Sequence, residues 1–476
     1  MNRLAAGAGL FVVSVAGWVA LVATGPGVYW RQSDALVYRA AGSAVLHGSG
    51  ALYAQAFGAA RLPFTYPPFA ALLFAAGSPL SFPVWQLILA VAGLCCLVLS
   101  AYAAVRLATP TTGGPGGATR TGRLGWALAV AAVGLWLEPV DLTLHFGQIN
   151  LILLALVLVD FAAPDTARGK GIAIGIAAGL KLTPLIFIPY LLLTGRIRAA
   201  AASVAAFAGT VAIGFALLGR DSVDYWGGRF SQPGDSPVRL VNQSLNGLVL
   251  RLLRDGPDAH AVWIVAALAV GVAGLVTAVV AGRRGYELLG VCLCAATGLL
   301  VSPISWSHHW VYVVPALALA TAPLGRLRGA APLGRLRGTA PLGSAGSSWR
   351  LRSIVSRGRV RGAAGGIVAV AALVALFAWW PLRVAAHGGT DPAIGIHPSG
   401  LLRVAPHDSG AELRWTAWQL AYGDGYVIAA LAFVLGSAAW LAVNARLGVI
   451  ARQSRPTAGL ASDPGAVGAG ARATGA

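Results

Sequence analysis

Gly27 to Phe69 carries Trp30-Arg31-Gln32-Ser33-Asp34-Ala35-Leu36-Val37-Tyr38 and then Arg61-Leu62-Pro63-Phe64-Thr65-Tyr66-Pro67-Pro68-Phe69, with a long apolar run on either side. A carboxylate just beyond a run long enough to cross a bilayer, set among tyrosines and prolines, is poor lipid-facing material. The stretch reads as the wall of a site at a membrane surface. What that site does depends on the polar groups the rest of the chain brings to it.

The whole chain agrees with a membrane setting. Of its 476 residues, 57% are hydrophobic and only 11% charged, with mean hydropathy +0.72. A soluble chain carries about 25% charged residues, so this is the composition of a polytopic membrane protein. A net charge of +19 would also suit nucleic acid, but the arginines fall mostly between apolar runs, where the positive-inside rule expects them. Orientation explains them, and no nucleic-acid partner is expected. Cys95, Cys96, Cys292 and Cys294 all lie inside apolar runs, without metal-site spacing or a disulfide framework.

Apolar spans are expected near 4–24, 84–106, 124–138, 147–163, 199–218, 259–281, 287–304, 308–322, 363–381 and 424–446. Leu4 to Ala23 outruns a signal-peptide core and lacks a clear small-x-small cleavage site, so it reads as a retained signal anchor. Lys181-Leu182-Thr183-Pro184 interrupts the run from Gly169 to Thr194. Pro184 removes an amide donor and clashes with the preceding turn, so two short helices, 170–182 and 183–194, are expected to fold back there. The expected fold is all-α, a polytopic bundle of about twelve helices. Tyr66 to Leu80 fits either a re-entrant helix or another span.

With the N-terminus cytoplasmic, the basic groups around 106–123, 168–170, 196–198, 283–284 and 446–455 fall inside. Asp34, Glu138, Asp141, Asp221, Asp224 and most other acidic residues fall outside. Acidic residues contribute little to insertion, so their segregation suggests polar work on the outer face. The expected divisions are a catalytic core over 1–322, a basic cytoplasmic linker over 323–362, C-terminal membrane helices with an outer loop over 363–455, and a disordered Ala/Gly-rich tail over 456–476. Within the linker, Ala322–Gly329 and Ala331–Gly338 are identical copies, too few for a solenoid. The linker suits contact with anionic lipid headgroups.

Four polar clusters share the outer face. They are Asp34 with Tyr38 and the Phe64–Phe69 turn; Glu138-Pro139 through Gln148-Ile149-Asn150; the loop Gly219–Asp258 with Arg229, Arg239, Asn242, Gln243 and Arg251; and Ser302 to Trp310 with Trp306, His308 and His309. Singly, each has a plainer reading. Asp34 fits a cap on a helix starting at Ala35, Gln148 and Asn150 fit helix-to-helix ties, and the histidines fit an interfacial belt. For Lys181, snorkelling and a polar cavity are equally open. His387, His397 and His407 recur by chance rather than as a metal site. Together, a carboxylate, two imidazoles, several arginines and aromatic rings suit a lipid-phosphate sugar donor. Arginine forks match phosphate oxygens, and a carboxylate or imidazole can take the proton from an attacking hydroxyl.

Asp34-x-x-x-Tyr38, Leu62 to Phe69, Gly147-Gln148-Ile149-Asn150, Lys181-Leu182-Thr183-Pro184, Asn242-Gln243-Ser244 and Ser302 to Trp310, in this order, resemble glycosyltransferase family 87. The resemblance covers about residues 30 to 320 and implies the GT-C membrane fold. It implies a polyprenyl-phosphate-mannose-dependent α-(1→2)-mannosyltransferase of the actinobacterial cell membrane, acting on a glycolipid or lipoglycan acceptor at the extracytoplasmic face. Phosphatidylinositol mannosides are among the acceptors this suggests. Asp34 matches the family's catalytic aspartate and is assigned as general base. His308 and His309 match its histidine pair, with the sugar-facing member open. Tyr38, Tyr66, Gln148, Asn150, Lys181, Asn242, Gln243 and Trp306 are expected to bind substrate. One of Arg229, Arg239 and Arg251 is expected to take the donor phosphate, and neither metal nor cofactor is required. In this chain no histidine follows Asp34 two residues on, a departure that bears on the acceptor more than on the chemistry.

The rival from another class is a transporter or flippase gated at the broken Lys181–Pro184 helix. Its halves should be paired repeats, and none is evident. The inside placement of the basic linker is directly testable. A cysteine at Ser347 should react with a membrane-impermeant maleimide in inverted vesicles and not in intact cells; labelling from outside would contradict the orientation.

Overall fold

Apolar runs become helices because lipid offers backbone amides no hydrogen-bond partners, and here the helices follow the hydropathy pattern closely. The structure, a computed structural model, describes residues 3–24, 32–48, 52–58, 61–109, 119–231, 237–322, 365–378, 402, 405–407 and 410–453. The expected linker over 323–362, the tail from 456, and His387 and His397 lie outside the described residues. The chain forms two compact units, 1–434 and 435–476.

The first unit runs through α1 (Arg3–Thr24), α2 (Ser33–Leu46), a two-residue hairpin pair β1 (Ala56–Phe57) and β2 (Leu62–Pro63), α3 (Pro68–Ala75) and α4 (Phe82–Ala108). Next come α5 (Arg120–Gly134), α6 (Glu138–Phe146), α7 (Asn150–Ala162), α8 (Ile172–Leu180), a 3₁₀ turn Thr183–Ile186 and α9 (Phe187–Leu193). Then follow α10 (Ile197–Leu217), α11 (Gly219–Trp226), α12 (Leu245–Leu252), α13 (Ala259–Arg283), α14 (Glu287–Val301), a 3₁₀ segment Ser307–Tyr312 and α15 (Val313–Thr321). After α16 (Gly365–Phe377) and α17 (Ala417–Gly423), the last helix α18 spans Gly425–Gln453 and carries the described part of the second unit.

Among the described residues, five helices are long and apolar enough to cross a membrane: α1, α4, α10, α13 and α18. On α13, Val265, Leu268 and Val272 are each about two-thirds exposed, a stripe that lipid tolerates and water does not. The multi-pass membrane class is thereby carried by the structure itself. Tyr66–Leu80 is too short in its helical part to be a further span. Its helix, α3, has eight residues, about 12 Å, started by Pro68 in the first turn, where a missing amide costs nothing. The break in the 169–194 run falls at Lys181, whose backbone is extended (φ −154°, ψ 132°), with Pro184 just inside the following 3₁₀ turn.

Hydrogen bonds sort the connections of the first unit into two groups. In one, Lys170 Nζ lies 2.8 Å from Asp165, Arg196 reaches Asp165 at 3.1 Å and also pairs with Glu287, and Arg283 donates to the Leu193 carbonyl at 3.0 Å. In the other, the backbone amide of Gln32 donates to the His145 carbonyl at 3.1 Å, and that of Gln243 to Ser305 at 2.7 Å. Leu137 bridges to Ala378 in the same group. Successive helices run from one group to the other: α5, α8, α10 and α14 toward the second, α7, α9, α13 and α15 away from it. The four expected polar clusters all fall in the second group.

Candidate active site

The site is built around the turn that ends α6. Gly147 adopts the left-handed conformation (φ 69°), its amide donates to Leu144 at 3.2 Å, and the Gln148 amide donates to Thr143 at 2.8 Å. This is the double bond of a Schellman stop, which satisfies carbonyls that the helix end would leave orphaned. A Cβ at position 147 would lie 2.6 Å from that of Ala35, so glycine also admits the close approach of α2. Gln32, itself left-handed (φ 39°), clips the start of α2 to this turn, its side-chain amide donating to the Leu144 carbonyl at 3.2 Å.

Asp34 therefore stands in the first turn of α2 with Gln148 opposite. Gln32 holds the cap position of α2, so Asp34 lies inside the first turn rather than at the cap. Its Oδ2 accepts from Gln148 Nε2 at 2.5 Å. Gln148 Oε1 accepts from the hydroxyls of Tyr38 at 2.8 Å and Tyr66 at 2.6 Å, and these hydroxyls are 2.7 Å apart. Aromatic packing holds them: Tyr38 stacks on Phe74 with centroids 4.2 Å apart, and Tyr66 meets Tyr38 edge-on at 5.2 Å. Burial pushes the Asp34 carboxyl up to about 6, against the opposing pull of the Gln148 hydrogen bond and the Lys181 charge.

The helix break supplies the cation. Lys181 Nζ donates to Asn150 Oδ1 at 2.9 Å, stands 3.0 Å from His309 Nε2, and lies 5.3 Å from the centre of the Tyr66 ring. Asn150 Nδ2 in turn donates to the His308 carbonyl at 3.0 Å, and Thr143 Oγ1 to the same oxygen at 3.1 Å. His308 packs edge-on against Phe146 with centroids 5.4 Å apart. One cavity of about 520 Å³ is lined by Asp34, Tyr38, Tyr66 and Gln148 from the early chain. Lys181, Arg239, Trp306, His308 and His309 line it from the later chain. The volume is that of a small-ligand site, and a carboxyl, a lysine amine and two imidazoles line it.

The remaining predicted residues lie elsewhere. Asn150 supports Lys181 and borders a smaller cavity with His309. Arg229 donates to the Tyr53 carbonyl. Asn242 accepts from the Ser305 amide at 2.9 Å and donates to Pro237, while Gln243 donates to Leu240 at 2.8 Å and Gly423 at 2.7 Å. Both side chains are wholly buried, so they tie loops rather than face the cavity. Arg251 pairs with Asp424, both fully buried, and donates to the carbonyls of Val238, Arg239 and Asn242 at 2.9 Å each. Its donors are committed within the protein, so of the three candidate arginines only Arg239 borders the cavity. Ser307 of the Ser302–Trp310 motif also lines it, as does Phe230, which no motif in the sequence singled out.

Membrane-crossing helices around a polar cavity of this kind define an integral membrane protein with an enzyme-like site. The model of glycosyltransferase family 87 matches residues 64–303, half of the chain, and the chain belongs to that family. The chain is 37% identical over 279 residues to a polyprenol-phosphate-mannose-dependent alpha-(1-2)-phosphatidylinositol mannoside mannosyltransferase of Mycobacterium tuberculosis, covering 57% of this chain and 65% of that protein. It is 32% identical over 337 residues to a polyprenol-phosphate-mannose-dependent alpha-(1-2)-phosphatidylinositol pentamannoside mannosyltransferase of Mycolicibacterium smegmatis, covering 67% of this chain and 77% of that one. The chain spans just under two thirds of the length of the first of these relatives. No solved structure matches it.

The two arginines separate a structural from a ligand role. Arg251→Met should leave Asp424 charged and unpaired in the interior, a loss of about 3–5 kcal/mol, read as a lowered Tm in detergent. Arg239→Met should lower Tm less than Arg251→Met does. The reverse order would contradict the assignment.

Proposed function

We propose that this chain is an integral membrane mannosyltransferase of the GT-C type. It would move mannose from polyprenyl-phosphate-mannose to a glycolipid or glycan acceptor on the extracytoplasmic face, forming an α-(1→2) linkage with inversion. The observation that carries the reading is the opposition, in one cavity, of the Asp34 carboxylate and the Lys181 ammonium with the His308–His309 pair beside it. The names of the relatives supply the donor and the acceptor class. The basic connections gathered at the ion-pair end, opposite the acidic ones, support the orientation.

In the proposed step the acceptor oxygen bonds to C1 of mannose as the bond from C1 to the phosphate oxygen breaks. The hydroxyl proton passes to Asp34, and the electron pair leaves on the phosphate. A base works only when ionised, and positive charge stabilises a leaving phosphate as its charge grows. Lys181 and Arg239 are the cations that border the space, and Tyr38, Tyr66 and Trp306 offer faces to the sugar and lipid. His309, against Lys181, and His308 complete the wall. A transporter would need neither a base nor a cation at the reacting centre.

Membranes containing the wild-type chain, given labelled polyprenyl-phosphate-mannose and a phosphatidylinositol mannoside acceptor, should form labelled glycolipid. Asp34→Asn should cut transfer by about 10²–10⁴-fold. Its abundance and Tm should not fall. With the folded pKa near 6, above the unfolded 3.8, ionisation opposes folding as pH rises through that window, and asparagine removes the opposition. Wild-type transfer should rise with pH through about 6 as the base ionises. Full activity in Asp34→Asn would refute the base assignment, and label that crosses the membrane without forming product would favour transport.

A further inference from the structure

We propose that Gln148 is a positioning residue, its amide fixed in one orientation by two tyrosine hydroxyls so that its N–H side holds Asp34 as an ionised acceptor. The inference rests on the transferase reading and adds a part to it: a device that keeps the base ready.

A carboxamide can present either its oxygen or its NH₂ to a neighbour, and the surrounding network decides which. Here Oε1 meets Tyr38 and Tyr66, and Nε2 meets Asp34 Oδ2. The two phenols carry two protons for three mutual contacts, one of which is the 2.7 Å contact between their own oxygens. Whichever way those protons are shared, at least one points to Oε1 while the amide stands in this orientation. Turning the amide over would face Oε1 to the carboxylate, oxygen against oxygen. That is tolerable only if Asp34 carries a proton to donate. The observed orientation therefore favours the ionised acid, which accepts this bond more strongly than the neutral one.

The selection has something to oppose. Asp34 is drawn from solvent by burial, which favours the neutral acid. The groups facing it are Tyr38 from its own helix, Tyr66 from the turn before α3, Gln148 from the α6–α7 turn, and Lys181 from the α8 break. Lys181 acts on Asp34 through charge and is engaged by Asn150 and His309. His308 and His309 line the same cavity. Among the described residues, Gln148 is in direct hydrogen-bond contact with Asp34. Both ends of its amide are engaged. The Schellman turn at Gly147 sets its Cα, and the stacked Tyr38–Phe74 rings set one of its partners.

The test is the titration of Asp34 in the full chain, reconstituted in lipid. Infrared difference spectra would follow the carboxyl band that disappears in Asp34→Asn. Gln148→Met removes the donor and keeps the bulk. Gln148→Glu places a second carboxyl where two must share a proton. Both should raise the Asp34 midpoint by about one to two pH units, the worth of a hydrogen bond to a charge, and the glutamate variant more than the methionine one. The acid limb of transfer should move by the same amount. Tyr38→Phe with Tyr66→Phe, which frees the amide to turn, should raise the midpoint too and serves if Gln148→Met does not fold. An unchanged midpoint in these variants, or a raised acceptor KM with the limb in place, would overturn the proposal. The infrared titration needs no turnover, so absent wild-type transfer would strike the transferase reading and leave this assignment to be decided separately.

Discussion

An ammonium among apolar helices must be given partners, and the way Lys181 is given them shapes the first unit of this chain. The backbone leaves α8 at Lys181 in an extended conformation and resumes as a 3₁₀ turn at Thr183. Freed from the helix, the side chain reaches Asn150 at the first residue of α7 and His309 in the segment after α14. Three distant parts of the chain meet on one charge. Desolvating that charge without such bonds would cost several kcal/mol, so the contacts also fix where these helices begin and end.

The carboxylate is delivered by different means. Asp34 belongs to α2, which is seated by backbone: the clip from Gln32 to the end of α6, the glycine turn at 147, and the closeness of α2 to α3. A Cβ on Gly42 would stand 2.5 Å from the Phe74 carbonyl oxygen, so no larger residue permits that approach. Cation and anion thus sit on separate elements joined through Gln148, Tyr66 and the cavity between. A site made this way can keep its charges apart until a ligand fills the gap, the preorganisation that electrostatic catalysis draws on.

Much of this was legible in the sequence, for identifiable reasons. Span positions followed from continuous apolar runs, and their edges agree with the helices to within a few residues at α1, α4, α10 and α13. The break near Pro184 followed from proline's missing donor, though the extended residue is Lys181. Tyr66–Leu80 was ambiguous because its apolar content does not reveal that the helix stops at Ala75. The polar motifs pointed to the correct neighbourhood but did not divide ligand-facing from loop-tying groups. Asn242 and Gln243 read like binding amides, yet their partners are backbone atoms of other loops. Arg251 could be separated from Arg239 only by knowing of Asp424, 173 positions away. The two-sided use of Gln148 depended on Tyr38 and Tyr66 converging, which no local pattern states.

The account depends on the sugar-phosphate meeting Lys181 across from Asp34. The most direct measurement is an electron cryomicroscopy structure of the protein in lipid nanodiscs with polyprenyl phosphate, the product carrier, bound. The account predicts the phosphate in the cavity beside Lys181, with Asp34 across the space left for mannose. Phosphate bound instead at the ion-pair end, near Arg196 and Lys170, would contradict it.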